Sequence, residues 1–184
     1  MNNTLKEFVN ILSGKFDNKE QYDKFQKEGK DFPFAKHINT PCNDKIKNLP
    51  DDFDGIFVLE ESYYTVNGRT NPMPHLFLFT MEDNKVKLTS YDMPKDYDKN
   101  TFTYENLKEI NYKELTKSEK FTPALYSYKD GVWEGGSESM FTPVLKFTLF
   151  ERFKEGVLEV SETMEMNGKR TFGYDDAIIY KQNK

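Results

Sequence analysis

The sequence predicts a mainly β fold, an antiparallel β-barrel with helices at its N-terminus, and three observations carry that prediction. The first is the stretch from Gly55 to Asp92. There, three apolar and aromatic runs are separated by Asn67-Gly68-Arg69-Thr70-Asn71-Pro72 and by Glu82-Asp83-Asn84, the pattern of a three-stranded meander. The second is composition: hydrophobic residues make up only 36% of the chain but aromatic residues 15%, with 16 Phe and 11 Tyr. Large rings in a small apolar total suit strands around a ring-lined interior better than a Leu/Ala helical bundle. The third is the return of alternating runs and glycine turns after Pro123. A chain of 184 residues fits one domain, residues 1–184, with length enough to bury a core.

Each element follows from local pattern. Leu5, Phe8, Val9, Ile11, Leu12 and Phe16 recur at helical spacing, with Asn3 or Thr4 placed to cap the start and Glu7 to complete a capping box on Thr4. Gly14 ends this helix. Asp17 opens a second one through about Lys27, with Tyr22 and Phe25 inward and Gly29 as its stop, so residues 1–28 form a helical N-terminal segment. Phe32 to Ile38 is a short extended run, followed by an Asn-, Asp- and Pro-rich loop to Asp54. The middle run of the meander, Leu76-Phe77-Leu78-Phe79, is apolar on both alternating faces, so both sides of that strand should be covered by protein or ligand.

Between Met93 and Lys120 the pattern degrades. Pro94, Asp96, Asp98 and Asn100 mark a loop, and Asn106 to Leu115 reads equally as helical turns or an irregular connection. Leu125 to Tyr128 and Val132 to Glu134 flank Lys129-Asp130-Gly131, a hairpin signal. Leu145, Phe147 and Leu149 alternate with Val144, Lys146 and Thr148. The next run alternates Leu158, Val160, Glu162 and Met164 with Val157, Glu159, Ser161 and Thr163, across a turn at Lys154-Glu155-Gly156. Asn167-Gly168 turns the chain into a last strand from Thr171 to Tyr180. Roughly eight or nine strands at spacings of about 8–14 residues predict a barrel with a helix plugging or flanking one end, the sandwich being its rival.

Composition excludes several functions. The net charge is -5 with no basic run, which argues against nucleic acid, whose binding draws on clustered Lys and Arg. Two histidines and one cysteine without ligand spacing make no ordinary metal site, and P-loop, dinucleotide and nucleophile-elbow motifs are absent. No cofactor is implied. Cys42 is the only cysteine, and its flanks Pro41, Asn43 and Asp44 supply no cation to activate it. With no leader pattern at Met1 to Phe8 and no span of ~18 apolar residues, the expectation is a cytoplasmic protein without a membrane partner.

The chemically loaded cluster is in the meander. Glu60 and Glu61 are adjacent on a strand and point to opposite faces, so one of them alone reaches the interior, and a paired-carboxylate mechanism from these two is excluded. An inward Glu60 among rings would have a raised pKa and serve as a proton donor near neutral pH; pairing with an internal cation is the structural alternative. Tyr63 and Tyr64 join a stacking face to a hydrogen-bonding tip. His75 opens the middle strand and His37 precedes the long loop. Trp133, the sole tryptophan, can stack on a ligand or fill a barrel end. Arg69, Arg152 and Arg170 are the only arginines, each a candidate anion anchor or a solvated surface group.

The chain resembles the CpcT/CpeT family of phycobiliprotein lyases. The match runs from Ser13-Gly14-Lys15-Phe16-Asp17-Asn18 through Gln21, Pro33-Phe34, His37-Ile38, Gly55, Phe57-Val58, Glu60-Glu61-Ser62-Tyr63 and Pro74, with weaker echoes at Trp133-Glu134-Gly135 and Phe172-Gly173. The resemblance implies a lipocalin-like (calycin) barrel, often a homodimer, that holds an open-chain tetrapyrrole and delivers it to a cysteine of an acceptor protein. Glu60 and Tyr63 match the family's Glu-Gln-x-Tyr pattern, with Glu61 in place of Gln, and His37 matches its Pro-Phe-x-x-His-Ile segment. Where the family has Pro-Tyr-Arg this chain has Pro74-His75-Leu76, which removes a propionate anchor for which Arg170 or Arg69 would have to substitute. Three functions follow as expectations: a bilin lyase or bilin-binding protein with Glu60 catalytic and His37, Tyr63, Tyr64, His75, Trp133 and Arg170 binding the ligand; a carrier of a small apolar molecule, or an interaction barrel, without chemistry; and an enzyme using Glu60 as acid or base.

Overall fold

The computed structural model describes residues 2–183. Helix α1 (Asn3–Leu12) is capped by Asn2, whose side chain accepts from the Thr4 and Leu5 amides, one position before the expected cap. It buries Leu5, Phe8, Val9 and Leu12. The expected helix-to-helix junction is instead strand β1 (Gly14–Asp17), so Phe16 belongs to the sheet, and α2 (Lys19–Lys27) follows it. Strand β2 (Phe34–Pro41) leads into a 3-10 turn (Asn43–Lys45) and the two-residue β3 (Ile46–Lys47).

The meander is β4 (Ile56–Val66), β5 (Arg69–Glu82) and β6 (Lys85–Tyr91). Its first break is tighter than expected. Asn67 and Gly68, both at positive φ, make the whole turn, and Arg69 to Pro74 continue the strand. Next come β7 (Ile110–Asn111), β8 (Ala124–Lys129), β9 (Val132–Thr142), β10 (Leu145–Lys154), β11 (Val157–Met166), β12 (Lys169–Phe172) and β13 (Ile178–Gln182). The expected last strand is thus two, broken at Gly173 (φ +106), where any Cβ would lie 2.3 Å from the Glu162 carbonyl oxygen.

Ten strands close into an antiparallel barrel of the lipocalin-like kind, each paired with the next barrel strand along the chain: β1, β2, β4, β5, β6, β8, β9, β10, β11, β13, and back to β1. Strand β12 extends the free part of β11's edge, and β3 and β7 form a separate parallel pair. Two cores result. Under α1, Phe8 packs its ring against Phe79, Tyr126, Trp133 and Phe153 with centroids 5.2, 5.3, 5.0 and 4.9 Å away, closing one end of the barrel. On the outer face of the meander, Phe57, Leu59, Leu76, Leu78 and Tyr91 pack with Phe102, Leu107 and Ile110. The segment between β6 and β8, with no α-helix in it, therefore lies over the barrel wall. This accounts for a middle strand apolar on both faces: Leu76 and Leu78 face that outer core while Phe77 and Phe79 face inward.

Candidate functional site

The interior opposite α1 is not filled. A cavity of about 330 Å³ lies there, walled mainly by Met73, Phe77, Phe121, Phe141, Phe147 and Leu149, with His37, Glu60, His75, Glu151 and Glu162 as its ionisable lining. Small eight-stranded barrels have interiors just wide enough for side chains or one small ligand, and two further strands widen this one. The rings form a collar: Phe141 stacks on Phe147 at 5.6 Å, and Phe121 meets both edge-on at 5.1 and 5.7 Å. His75 lies parallel to Phe77 at 5.5 Å.

Strand alternation sets which side chains reach this space. On β4, Glu60, Ser62 and Tyr64 point inward and Glu61 and Tyr63 outward. Glu60 sits opposite His75 of β5, and Ser62 opposite His37 of β2. The three form a ring of contacts: the Ser62 hydroxyl donates to Glu60 Oε1 at 2.8 Å, His37 Nε2 lies 3.3 Å from Ser62 Oγ, and His37 Nδ1 lies 3.4 Å from Glu60 Oε2. Because the serine proton goes to the carboxylate, its lone pair faces a donating Nε2–H. The Nδ1 contact is then a charge contact whenever the imidazole is protonated, the state that the Glu60 carboxylate favours.

Electrostatics follows from this pairing. Burial pushes Glu60 up, but the His37 charge and hydrogen bond, with His75 and Ser62, pull it to about 2. Burial pushes His37 down, and the Glu60 carboxylate, with Glu162 and Glu151 beyond it, raises it on balance. His75 is lowered, by burial first, with Glu60 opposing. The expectation that Glu60 is a proton donor near neutral pH is therefore corrected, because its internal cation holds it ionised. The carboxyl poised there is Glu151 of β10, which burial and the nearby Glu60 charge push up to about 7 against the Tyr126 hydroxyl that donates to its Oε2. Glu162 of β11 is raised too, by burial and Glu60, while accepting from the Tyr64 hydroxyl at 3.3 Å.

Of the residues singled out in the sequence, His37, Glu60 and His75 line the cavity together. Tyr64 stands behind Glu162 as its hydrogen-bond donor. Three others are elsewhere. Tyr63 is on the outer face, donating to Glu61 Oε2 at 2.9 Å, while Glu61 Oε1 accepts from the Tyr104 amide at 3.1 Å. Trp133 is 3% exposed in the core beneath α1, where it fills the barrel end instead of facing a ligand. Arg170 is on β12, exposed and ion-paired with Asp175, outside the cavity. Glu151 and Glu162 were missed although the signal was present: Glu162 shares strand parity with Leu158, Val160 and Met164, and Glu151 with Phe147, Leu149 and Phe153.

Among the described residues no three His, Cys, Asp or Glu side chains are placed to hold a metal ion. No helix among them is long and apolar enough to cross a membrane. The buried Cys42 thiol is pushed up to about 12, by burial first and then Asp44, which suits packing and not nucleophilic attack. Comparison with protein-family models, curated proteins and solved structures gives no match.

Proposed function

We propose that this protein is a small-molecule binding barrel whose ligand sits in the cavity opposite α1, its body against the ring collar and its polar end toward Glu151, Glu162 and the His37–Glu60 pair. One observation carries this reading: a ten-stranded closed barrel is packed solid at the α1 end but keeps a space of about 330 Å³, ring-walled, at the other. That volume lies at the small end of the range for small-molecule sites, and apolar walls with a few convergent polar groups are the usual make-up of one.

The bilin-lyase reading has less support. An open-chain tetrapyrrole carries propionates, yet among the described residues neither Lys nor Arg lines the cavity, and of the two arginines that would substitute for the missing anchor Arg170 is paired with Asp175 and Arg69 is exposed, both outside it. A carrier without covalent chemistry needs no such anchor. Titration with the neutral fluorophore N-phenyl-1-naphthylamine tests the proposal: saturable enhancement at one equivalent is expected, and Leu149→Trp, which fills the cavity, should abolish it with the β-sheet circular dichroism unchanged. Absence of saturable binding to the wild-type protein would refute it. Phycocyanobilin belongs in the same series, since a saturable shift of its absorption band would bring the lyase reading forward.

A further inference from the structure

The cavity is lined by ionisable groups of a lopsided kind. Among the described residues three carboxyl groups, Glu60, Glu151 and Glu162, face it, with His37 and His75 as the only basic side chains. Glu60 is committed: Oε1 accepts from Ser62 and Oε2 faces His37. Its charge and that of the imidazolium cancel at short range. Glu151 and Glu162 are each half-committed. Glu151, 8% exposed, takes the Tyr126 hydroxyl on Oε2, and its Oε1 has no hydrogen-bond partner among the described residues. Glu162 takes the Tyr64 hydroxyl on Oε2 alone. Ser90, 7% exposed, lines the same space with a hydroxyl that makes no hydrogen bond among the described residues.

Acceptor oxygens that open onto a cavity from buried residues such as Glu151 and Ser90 are available to a donor on whatever ligand enters it. The donor best matched to carboxylates in a water-poor space is a cation, because it forms charge-assisted bonds and removes the repulsion between the carboxylates. The walls agree, since aromatic faces attract a cation or its polarised neighbours as well as an apolar ring. An anionic ligand would meet like charge with no cation left to answer it.

Resting on the binding-barrel reading, we propose that the ligand presents a protonated nitrogen, an amine or amidinium on an aromatic or otherwise apolar body, with Glu151 and Glu162 receiving the cation, Ser90 accepting a further N–H, and the Phe121, Phe141 and Phe147 rings holding the body. The carboxyl nearest neutrality, Glu151, gives up its proton as the cation binds, so affinity rises with pH while the amine stays protonated. The groups that face Glu151 and set this dependence are Tyr126 from β8, Glu60 from β4, His37 from β2 and Glu162 from β11.

The test displaces N-phenyl-1-naphthylamine from the full chain at pH 8 with three probes sharing one body: 1-naphthylmethylamine, 1-naphthalenemethanol and 1-naphthoic acid. The amine should bind at least about tenfold tighter than the alcohol, the scale of one charge-assisted hydrogen bond, and the acid more weakly than either. Glu151→Gln should lower amine affinity about tenfold and shrink the preference for the amine over the alcohol. Glu162→Gln serves the same purpose if the first variant does not fold. An amine that gains nothing over the alcohol, or an acid that binds as tightly as the amine, overturns this inference and leaves the binding barrel standing. Failure of all three probes and of the fluorophore overturns both.

Discussion

Glu151 makes part of the pH dependence of stability a question about one residue. Its ordinary pKa is 4.5 and its folded value about 7, raised by burial and by the Glu60 charge. Between those two values the folded protein keeps a proton that the unfolded chain has lost, so stability falls as pH rises through the window, by up to roughly 3 kcal/mol. Glu60 acts in the opposite sense and at lower pH. Held at about 2, it contributes stability that is present above 4.5 and lost as pH falls toward 2. Urea midpoints of wild type and Glu151→Gln at pH 5 and pH 8 separate these: the variant should lose less stability than wild type over that interval, the remainder coming from Glu162 and His37, which are raised as well, and equal losses would show that this carboxyl is not held protonated. The inward position of Glu60 was legible from strand alternation, but its pKa was not, because the partner that inverts it, His37, is 23 residues away along the chain and is brought to it only by β2–β4 pairing. Tyr63 and Trp133 are the converse. Residue type suggested a ligand contact, while parity with Glu61 and packing under α1 placed them outside the cavity.

At the scale of elements, α1 is a floor for the cavity more than an ornament on the barrel. Its Phe8 is fully buried among four rings contributed by β5, β8, β9 and β10. Phe8→Ala should therefore destabilise the protein by about 3–5 kcal/mol, the usual cost of emptying a core ring site. Urea unfolding followed by the fluorescence of Trp133, a neighbour of that ring at 5.0 Å, measures it. A loss below about 1 kcal/mol would mean that the helix is not part of the cooperative core. The hairpins were legible because their turns demand particular residues: Asn67-Gly68, Asp130-Gly131 and Asn167-Gly168 all sit at positive φ. Strand β1 was not legible, since four residues carry too short an alternation to compete with the helical spacing of Phe16. The break before β13 was hidden as well, because it is set by how closely Gly173 approaches the Glu162 carbonyl, a contact between segments distant in sequence.

Across the whole molecule the barrel is unevenly sewn. Strand β4 pairs with β5 along its full length, from Ile56–Phe79 to Val66–Arg69, whereas only Phe16–Gln182 and Asp17–Lys181 join β1 to β13 where the two ends of the sheet meet. Beyond that short seam the edge of β13 has no strand beside it, and α2 supplies a substitute. The Gln21 amide donates to the Ala177 carbonyl at 2.8 Å and accepts from the Ile179 amide at 2.8 Å, standing in for one strand residue. Asn18 works similarly on the neighbouring strand, accepting from the Ala35 amide and donating to the Pro33 carbonyl. Both residues belong to the stretch on which the family resemblance rests, and here their side chains hold backbone, whereas His37 and Glu60 of the same stretch line the cavity. Local opening should begin at the seam, where few backbone bonds must break together. Native-state hydrogen exchange tests this: the Phe16 and Ile179 amides should exchange faster than those of Val58 and Phe79. Gln21→Ala should speed Ile179 by roughly tenfold, the scale of one lost hydrogen bond, without changing the meander. If all four amides instead exchange at one common rate, the barrel opens only as a unit and the seam is no weaker than the rest of the wall. Because the cavity lies toward the opposite end from the seam's floor-side pairing, a bound ligand should slow exchange at Glu60 and His75 far more than at Phe16, which makes closure of the wall and occupation of the interior separable in one experiment.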